Sequence, residues 1–136
     1  MSAAATGIGD IAGTHYASFD LIAHAAATTT EDVGNWIAPA AVRVTGLRIC
    51  PNVAATGNNT NRTNYNFINR TSGAGTTEVA NHDYATGTDA EVGTGVALTV
   101  TAFNMAQNDA LCVQAEKVGD GLALGSCSVL VTFQYR

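Results

Sequence analysis

The sequence predicts an all-β fold, an antiparallel β-sandwich of jelly-roll type with about seven or eight strands. Apolar residues recur at every second position in several segments, whereas no segment shows sustained helical periodicity. Loops rich in Gly, Asn and Thr separate these segments. The 136 residues suffice for one hydrophobic core. We therefore expect a flexible N-terminal arm over residues 1–14 and a single β-sandwich domain over residues 15–136.

The first half of the chain contains two predicted strands, and the alternation of apolar residues changes phase within the second. In residues 15–24 the alternation places one set of apolar side chains inward, namely Ala17, Phe19, Leu21 and Ala23. In residues 42–50 the alternation changes phase at Gly46, which is typical of a β-bulge. Pro51 cannot donate a ladder hydrogen bond and is expected to end this strand.

The second half supplies the remaining strands. Tyr65 and Phe67 share a face in residues 64–69, and residues 96–103 alternate as one strand. Residues 110–118 place three side chains inward, namely Leu111, Val113 and Ala115. Residues 126–135 place every second side chain inward from Cys127 to Tyr135, and Leu130 is the one exception among the outward positions. Shorter strands are predicted around residues 36–37 and 78–84.

The connecting segments are expected to be irregular. Thr28 and Glu31 have the spacing of a capping box, but no apolar helical run follows them, so at most one turn of helix is expected there. The sequons that begin at Asn58, Asn61 and Asn69 are interpreted as loop-forming residues, because Asn and Thr cap turns well. The loop over residues 71–95 is long for a compact domain, which predicts that part of it touches a neighbouring molecule.

Composition limits the classes of partner. Hydrophobic residues make up 46% of the chain and charged residues only 12%, which favours a protein that covers much of its surface with partners. The net charge is −5 and the arginines are scattered, so nucleic acid is not an expected ligand. No window approaches the length of a transmembrane helix, and the N-terminus lacks the pattern of a secretory signal. We expect a soluble protein with no membrane partner.

The three cysteines cannot all pair within one chain, and their spacing fits no zinc knuckle or redox motif. Strand parity places Cys127 on the same face as Val129, whereas Cys112 lies on the face opposite Leu111 and Val113. We therefore expect reduced, packed thiols.

No combination of residues has the pattern of a catalytic or metal site. His15 and His24 lie about 30 Å apart if the strand is extended, and His82 lies in a predicted loop, so a structural role is expected for each. Asp89 and Glu91 lack the interleaved spacing of a calcium loop. No serine or cysteine has the context of an activated nucleophile. The sequence therefore predicts no enzyme activity, no cofactor and no metal ion.

Four apolar or aromatic residues are predicted to contact other subunits or a partner protein. Ile8 and Ile11 could anchor the arm on another subunit. Tyr65 and Tyr135 have inward parity, which leaves Trp36 and Tyr84 as candidates for a contact surface. Trp36 also suits a position in the core.

The C-terminal third resembles a known class of virion proteins. Residues 108–125 read NDALCVQAEKVGDGLALG, and residues 129–135 read VLVTFQY. This order is similar to the ending of small phage proteins in the capsid decoration, or head-cement, class: a turn ending in Asp, a strand, a VGxGLAL loop and an alternating last strand. Residues 37–49, IAPAAVRVTGLRI, are similar too. Asn108 stands where such sequences often have glycine.

The resemblance implies a structural protein that trimerises and sits on the outer surface of a tailed-phage capsid, where subunits of the major capsid protein meet. Such a protein would be made in the host cytoplasm and would attach through many weak contacts. The alternative is a receptor- or glycan-binding tip domain of a phage fibre, which shares the sandwich fold, so fold alone does not separate the two. A cupin-like metalloprotein would require converging histidines, a pattern that this sequence lacks.

Overall fold

Two antiparallel sheets pack face to face in the computed structural model, which describes residues 13–71 and 75–136. The first sheet has five strands in the order β1-β9-β3-β6, with β7 also paired to β3, and the second has four in the order β2-β8-β4-β5. The described residues form these strands: β1 His15–Leu21, β2 Glu31–Ile37, β3 Val42–Pro51, β4 Arg62–Arg70, β5 Thr77–Asp83, β6 Val96–Ala97, β7 Phe103–Met105, β8 Ala110–Val118 and β9 Cys127–Tyr135. The predicted all-β sandwich is confirmed.

The core lies between the sheets and is built from the inward positions of the alternating strands. On β8, Leu111, Val113 and Ala115 are fully buried. On β9, Val129 and Val131 are fully buried as well. Burial of each large aliphatic side chain contributes about 1.5–3 kcal/mol, so the alternating pattern is itself the main source of stability.

The bulge in β3 lies where the alternation changes phase. The register of β3 against β9 shifts between Val44 and Gly46. Val42 and Val44 before the shift, and Leu47 and Ile49 after it, all point into the core. One extra residue thus keeps both halves of the strand facing the same side.

The bulge also explains why residues 96–103 do not form one strand, which corrects that prediction. The other edge of β3 is divided at Gly46, so β7 pairs with residues 42–44 and β6 pairs with residues 48–49. Between β6 and β7 the chain is irregular, although Leu98 still donates its N–H to the carbonyl of Leu47 at 2.9 Å.

The first strand is shorter than expected because the chain changes partner after Leu21. Ile22 donates its N–H to Val33 of β2 at 2.9 Å, and His24 forms an isolated bridge with Leu124. The single helical turn allowed near Thr28 is not formed. Glu31 instead begins β2, and its Oε1 lies 2.7 Å from His24 Nδ1.

The turn before β8 requires a left-handed residue, and Asn108 supplies it with φ of 73°. Asparagine tolerates this conformation better than most residues other than glycine. The turn is held by the N–H of Ala106, which donates to the Asp109 carboxylate at 3.0 Å, and by the N–H of Asn108, which donates to Ala38 at 2.9 Å. Asparagine can therefore occupy the position where similar sequences have glycine.

Candidate interaction surfaces

Two long loops, residues 52–61 and 84–95, meet at one end of the sandwich, which we call the loop end. Ala55 and Ala90 exchange backbone hydrogen bonds of 3.1 and 2.8 Å, and the N–H of Asn58 donates to Tyr84 at 3.0 Å. The N–H of Gly57 donates to Asp89 Oδ1 at 2.8 Å. A Cβ at Gly57 would lie 2.0 Å from the carbonyl oxygen of Ala85. The loops are therefore tightly packed against each other.

Asparagine side chains fix the geometry of the first loop. Asn58 Oδ1 accepts the N–H groups of Thr60 and Asn61 at 2.7 and 2.8 Å. Asn59 Oδ1 accepts the N–H of Thr86, and Asn61 Oδ1 accepts that of Asp120. The interpretation of Asn58 and Asn61 as loop-forming residues is thus supported by their contacts, whereas it is wrong for Asn69, which lies within β4.

Three exposed aliphatic side chains lie at the loop end. Leu21 of β1 and Pro51 of β3 both align with Cys127 of β9, so the residues that follow them emerge at the same level. Gly93 donates its N–H to Pro51 at 3.0 Å, which brings the second loop to this level. The exposed side chains are Ile22, 59% exposed, Val53, 53%, and Val92, 59%.

An open hollow of about 430 Å³ lies between the two loops. Its lining residues are Ala54, Ala55, Thr56, Asp89, Ala90 and Glu91. Asp89 and Glu91 are the charged residues of the two loop segments, and both are acidic. The loop end thus combines aliphatic side chains with negative charge.

The outer face of the five-stranded sheet, which we call the open face, is a second candidate surface. It carries Tyr16, which is 66% exposed, and Leu130, which lies between Ser18 and Arg48 in the register of the sheet. A shallow depression of about 180 Å³ is lined by Ser18, Arg48, Cys50, Gly95, Ser128, Val129 and Leu130. Leu130, the one apolar residue at an outward position of β9, therefore lies on the open face.

The outer face of the four-stranded sheet, which we call the paired face, is different because its polar groups bind one another. Asn66 Oδ1 accepts hydrogen bonds from Asn64 at 3.0 Å and Asn81 at 2.8 Å. Arg70 pairs with Asp32 at 3.4 Å and lies against Cys112. Cys112 is only 4% exposed, and burial raises the pKa of its thiol.

The predicted contact residues occupy different environments. Ile8 and Ile11 lie outside the described residues. Trp36 is half-buried, and its ring packs 5.2 Å from that of Phe133. Tyr84 is fully buried between Tyr65 and His82, with ring distances of 5.8 and 4.8 Å. Its prediction as a surface contact is therefore wrong, because this position just after β5 turns into the core.

The histidines are separated in the structure. His24 is 1% exposed and contacts Glu31, whereas His15 packs on the rings of Phe133 and Tyr135. His82 is partly buried, which lowers its pKa despite the neighbouring carboxylate of Asp83. Residues 13–71 and 75–136 contain no group of three or more side chains that could hold a metal ion. Within the same residues, no helix has the length and apolarity needed to cross a membrane.

The sequence did not point to Ile22, Val53 or Val92 as exposed residues of one surface. Val53 and Val92 lie in loops, where alternation gives no information about exposure. Ile22 falls at the point where the chain leaves β9 for β2. The sequence did give a signal for the open face, because Leu130 is an apolar residue at an outward position of a strand.

No protein-family model matches the chain, and no curated protein matches it. The solved structures that match include three of infectious bursal disease virus. The Gx strain structure has 10% identity and a TM-score of 0.44 over 90% of this chain and 32% of the matched chain. The VP2 subviral particle has 11% identity and a TM-score of 0.37 over 90% and 37%. The Gt strain structure has 14% identity and a TM-score of 0.32 over 92% and 36%. The chain spans about a third of the length of each matched chain.

Proposed function

We propose that this chain is a non-enzymatic structural protein of a virion, which decorates and stabilises the outer surface of a phage capsid as a homotrimer. Its partners would be the major capsid protein and other copies of the chain. It would be made in the host cytoplasm and would join the virion at the capsid surface. The loop end is the part of the described chain best suited to contact the capsid.

The exposed aliphatic side chains of the loop end carry this proposal. Ile22, Val53 and Val92 stand on or beside loops that backbone hydrogen bonds already hold in place. Binding through preordered side chains loses less conformational entropy than binding through a flexible loop. Each contact contributes about 25 cal/mol per Å² of apolar surface removed from water, and several linked copies multiply the effect.

The charge of the loop end narrows the kind of capsid surface that it fits. Asp89 and Glu91 line the hollow between the same two loops and give this end a negative charge. A complementary surface would offer apolar side chains bordered by Lys or Arg. The attachment should therefore weaken as the salt concentration rises.

The sequence supports the same assignment independently. The VGDGLAL segment at residues 118–124 and the alternating last strand resemble capsid decoration proteins. A charged fraction of 12% also suits a protein that buries much of its surface in an assembly.

A cosedimentation experiment tests the loop end directly. Capsids of the phage that encodes the protein, assembled without it, are mixed with the wild type or with the double variant Ile22→Ser, Val92→Ser. We expect the double variant to bind at least about tenfold more weakly, because two apolar contacts are lost. Ile37→Ser is the matched control. Ile37 is 57% exposed, like the loop-end residues, but it lies at the opposite end of β2 from Val33, the residue to which Ile22 is hydrogen-bonded. Equal binding by all three proteins would remove the loop end from the proposal.

The location and copy number in intact particles test the function itself. Cryo-electron microscopy should find many copies on the outside of the head, at symmetry-related positions. A few copies at the tip of a tail fibre would instead support the receptor- or glycan-binding alternative. Absence from the particle would refute both virion assignments.

A further inference from the structure

The open face carries Asp20 and Arg48, two charges of opposite sign without an ion pair, on either side of an apolar centre. Arg43 lies on the same face of β3 and donates a hydrogen bond to Asn104 at 3.3 Å. Asp20 lies on β1 and Arg48 on β3, and both are exposed. Strand β9 runs between them with Leu130 outward. Among the described residues, the ion pairs involve other side chains, so neither Asp20 nor Arg48 has a charged partner.

The spacing of the strands prevents these two side chains from pairing well within one chain. β1 and β3 are separated by β9, so their backbones lie about 10 Å apart. Asp20 aligns with Ser128, whereas Arg48 aligns with Leu130, two residues further along β9. Two exposed charges at this offset gain little from each other in water.

We propose that a second copy of this chain docks on the open face, so that Leu130 residues meet at the centre and Asp20 of one copy pairs with Arg48 of the next. A rotation axis parallel to β9 would bring the β1 side of one copy against the β3 side of its neighbour. Each copy would then offer an acid to one neighbour and a base to the other. This interface rests on the proposed homotrimer, to which it assigns a surface, and it is separate from the capsid attachment at the loop end.

The chemistry of the face favours another copy over an unrelated partner because the face is complementary to itself. Tyr16 and Leu130 supply apolar area, and Tyr16 lies on the same side as Asp20, where the guanidinium of a neighbouring Arg48 could stack on its ring. The charge pair would fix the relative orientation of the copies, and the apolar centre would supply most of the affinity.

Charge reversal tests this pairing in the isolated protein by sedimentation velocity. Asp20→Arg and Arg48→Glu should each raise the dissociation constant of self-association by about tenfold or more. Glu116→Arg and Lys117→Glu are matched controls, because they change the net charge equally but lie on β8 of the other sheet. Both controls should associate like the wild type.

Mixing the two reversed variants separates a contact between copies from an effect within one chain. In an equimolar mixture, the native Asp20 of one variant meets the native Arg48 of the other, and the introduced arginine meets the introduced glutamate. This restores every contact in a mixed dimer and two of the three in a mixed trimer. Recovered association in the mixture supports the pairing, because an effect within one chain is not rescued by mixing. Asp20→Asn and Arg48→Gln replace the reversed variants if those fail to fold.

Cys50 gives an independent readout, because its thiol lines the depression beside Leu130. Its reaction with a thiol reagent should slow as the wild-type concentration rises, and should not slow for Arg48→Glu. A wild type that stays monomeric at roughly 100 µM overturns the proposal, since this excludes even a weak specific interface. The proposal is also overturned if Asp20→Arg and Arg48→Glu both self-associate with the dissociation constant of the wild type. A monomeric wild type would also remove the homotrimer from the proposed function, whereas insensitivity to the reversals would remove only this interface. Neither result affects the capsid test at the loop end.

Discussion

The two outer faces of the sandwich differ in where their polar groups find partners. On the paired face, Asn66 accepts two amide hydrogen bonds and Arg70 pairs with Asp32. On the open face, Asp20 and Arg48 have no ion pair within the described chain, and Leu130 and Tyr16 face outward. A face on which polar side chains bind one another contributes to folding, whereas a face with charges that lack an ion pair and with exposed apolar groups is suited to binding.

Substitution of the central acceptor of the paired face should have the largest effect on folding. Asn66 is 7% exposed, and Asn66→Ala would leave two amide donors without their acceptor. We expect the free energy of unfolding to fall by about 1–3 kcal/mol, as measured by urea denaturation. Gln134→Ala, at an exposed position on the open face, should change it by less than about 0.5 kcal/mol. Equal losses at both positions would show that the two faces do not differ in this way.

The cysteines offer a second comparison, since one lies on each outer face. Cys50 is partly exposed on the open face, whereas Cys112 is buried on the paired face beside Arg70. Burial raises the pKa of Cys112, which lowers its thiolate fraction. In dilute native protein, Cys112 should react with a thiol reagent at least about tenfold more slowly than Cys50. Mass spectrometry of labelled peptides measures both rates, and similar rates would contradict the difference in burial.

The smallest expected effect concerns pH and the edge of the four-stranded sheet. Burial lowers the pKa of His82 below its ordinary value of 6.5, so the unfolded chain binds its proton more readily than the folded one. The contribution of His82 to stability is therefore complete above about pH 6.5 and is lost as the pH falls through its folded pKa. We expect the wild type to lose up to about 1 kcal/mol more than His82→Gln between pH 7.5 and pH 5. Parallel loss in both proteins would exclude His82 as the cause.

Alternation predicted the strands and their inward faces because burial of one face imposes a period of two residues on a strand. It located the bulge at Gly46 for the same reason, since both halves of β3 must face the core. The burial of Tyr84 was missed because this residue follows the end of β5, where the alternation of inward and outward side chains no longer indicates which way a side chain points. The acceptor role of Asn66 was missed because it depends on Asn81, a partner on another strand.

The candidate surfaces were less accessible to sequence reasoning than the fold. Val53 and Val92 are ordinary loop residues until the hydrogen bonds between the loops bring them to one end. Asp20 and Arg48 are 28 positions apart in the chain, and only the strand order places them on either side of β9. Surfaces of this kind depend on topology, which local pattern does not specify.

The divided edge beside the Gly46 bulge also limits strand addition on that side of the five-stranded sheet. β6 has two residues and β7 has three, with irregular chain between them. An extended strand from another molecule would find no long, regular row of free N–H and C=O groups there, so fibre-like growth along this edge is discouraged. Strand addition at this edge is therefore less favourable than it would be along one continuous strand.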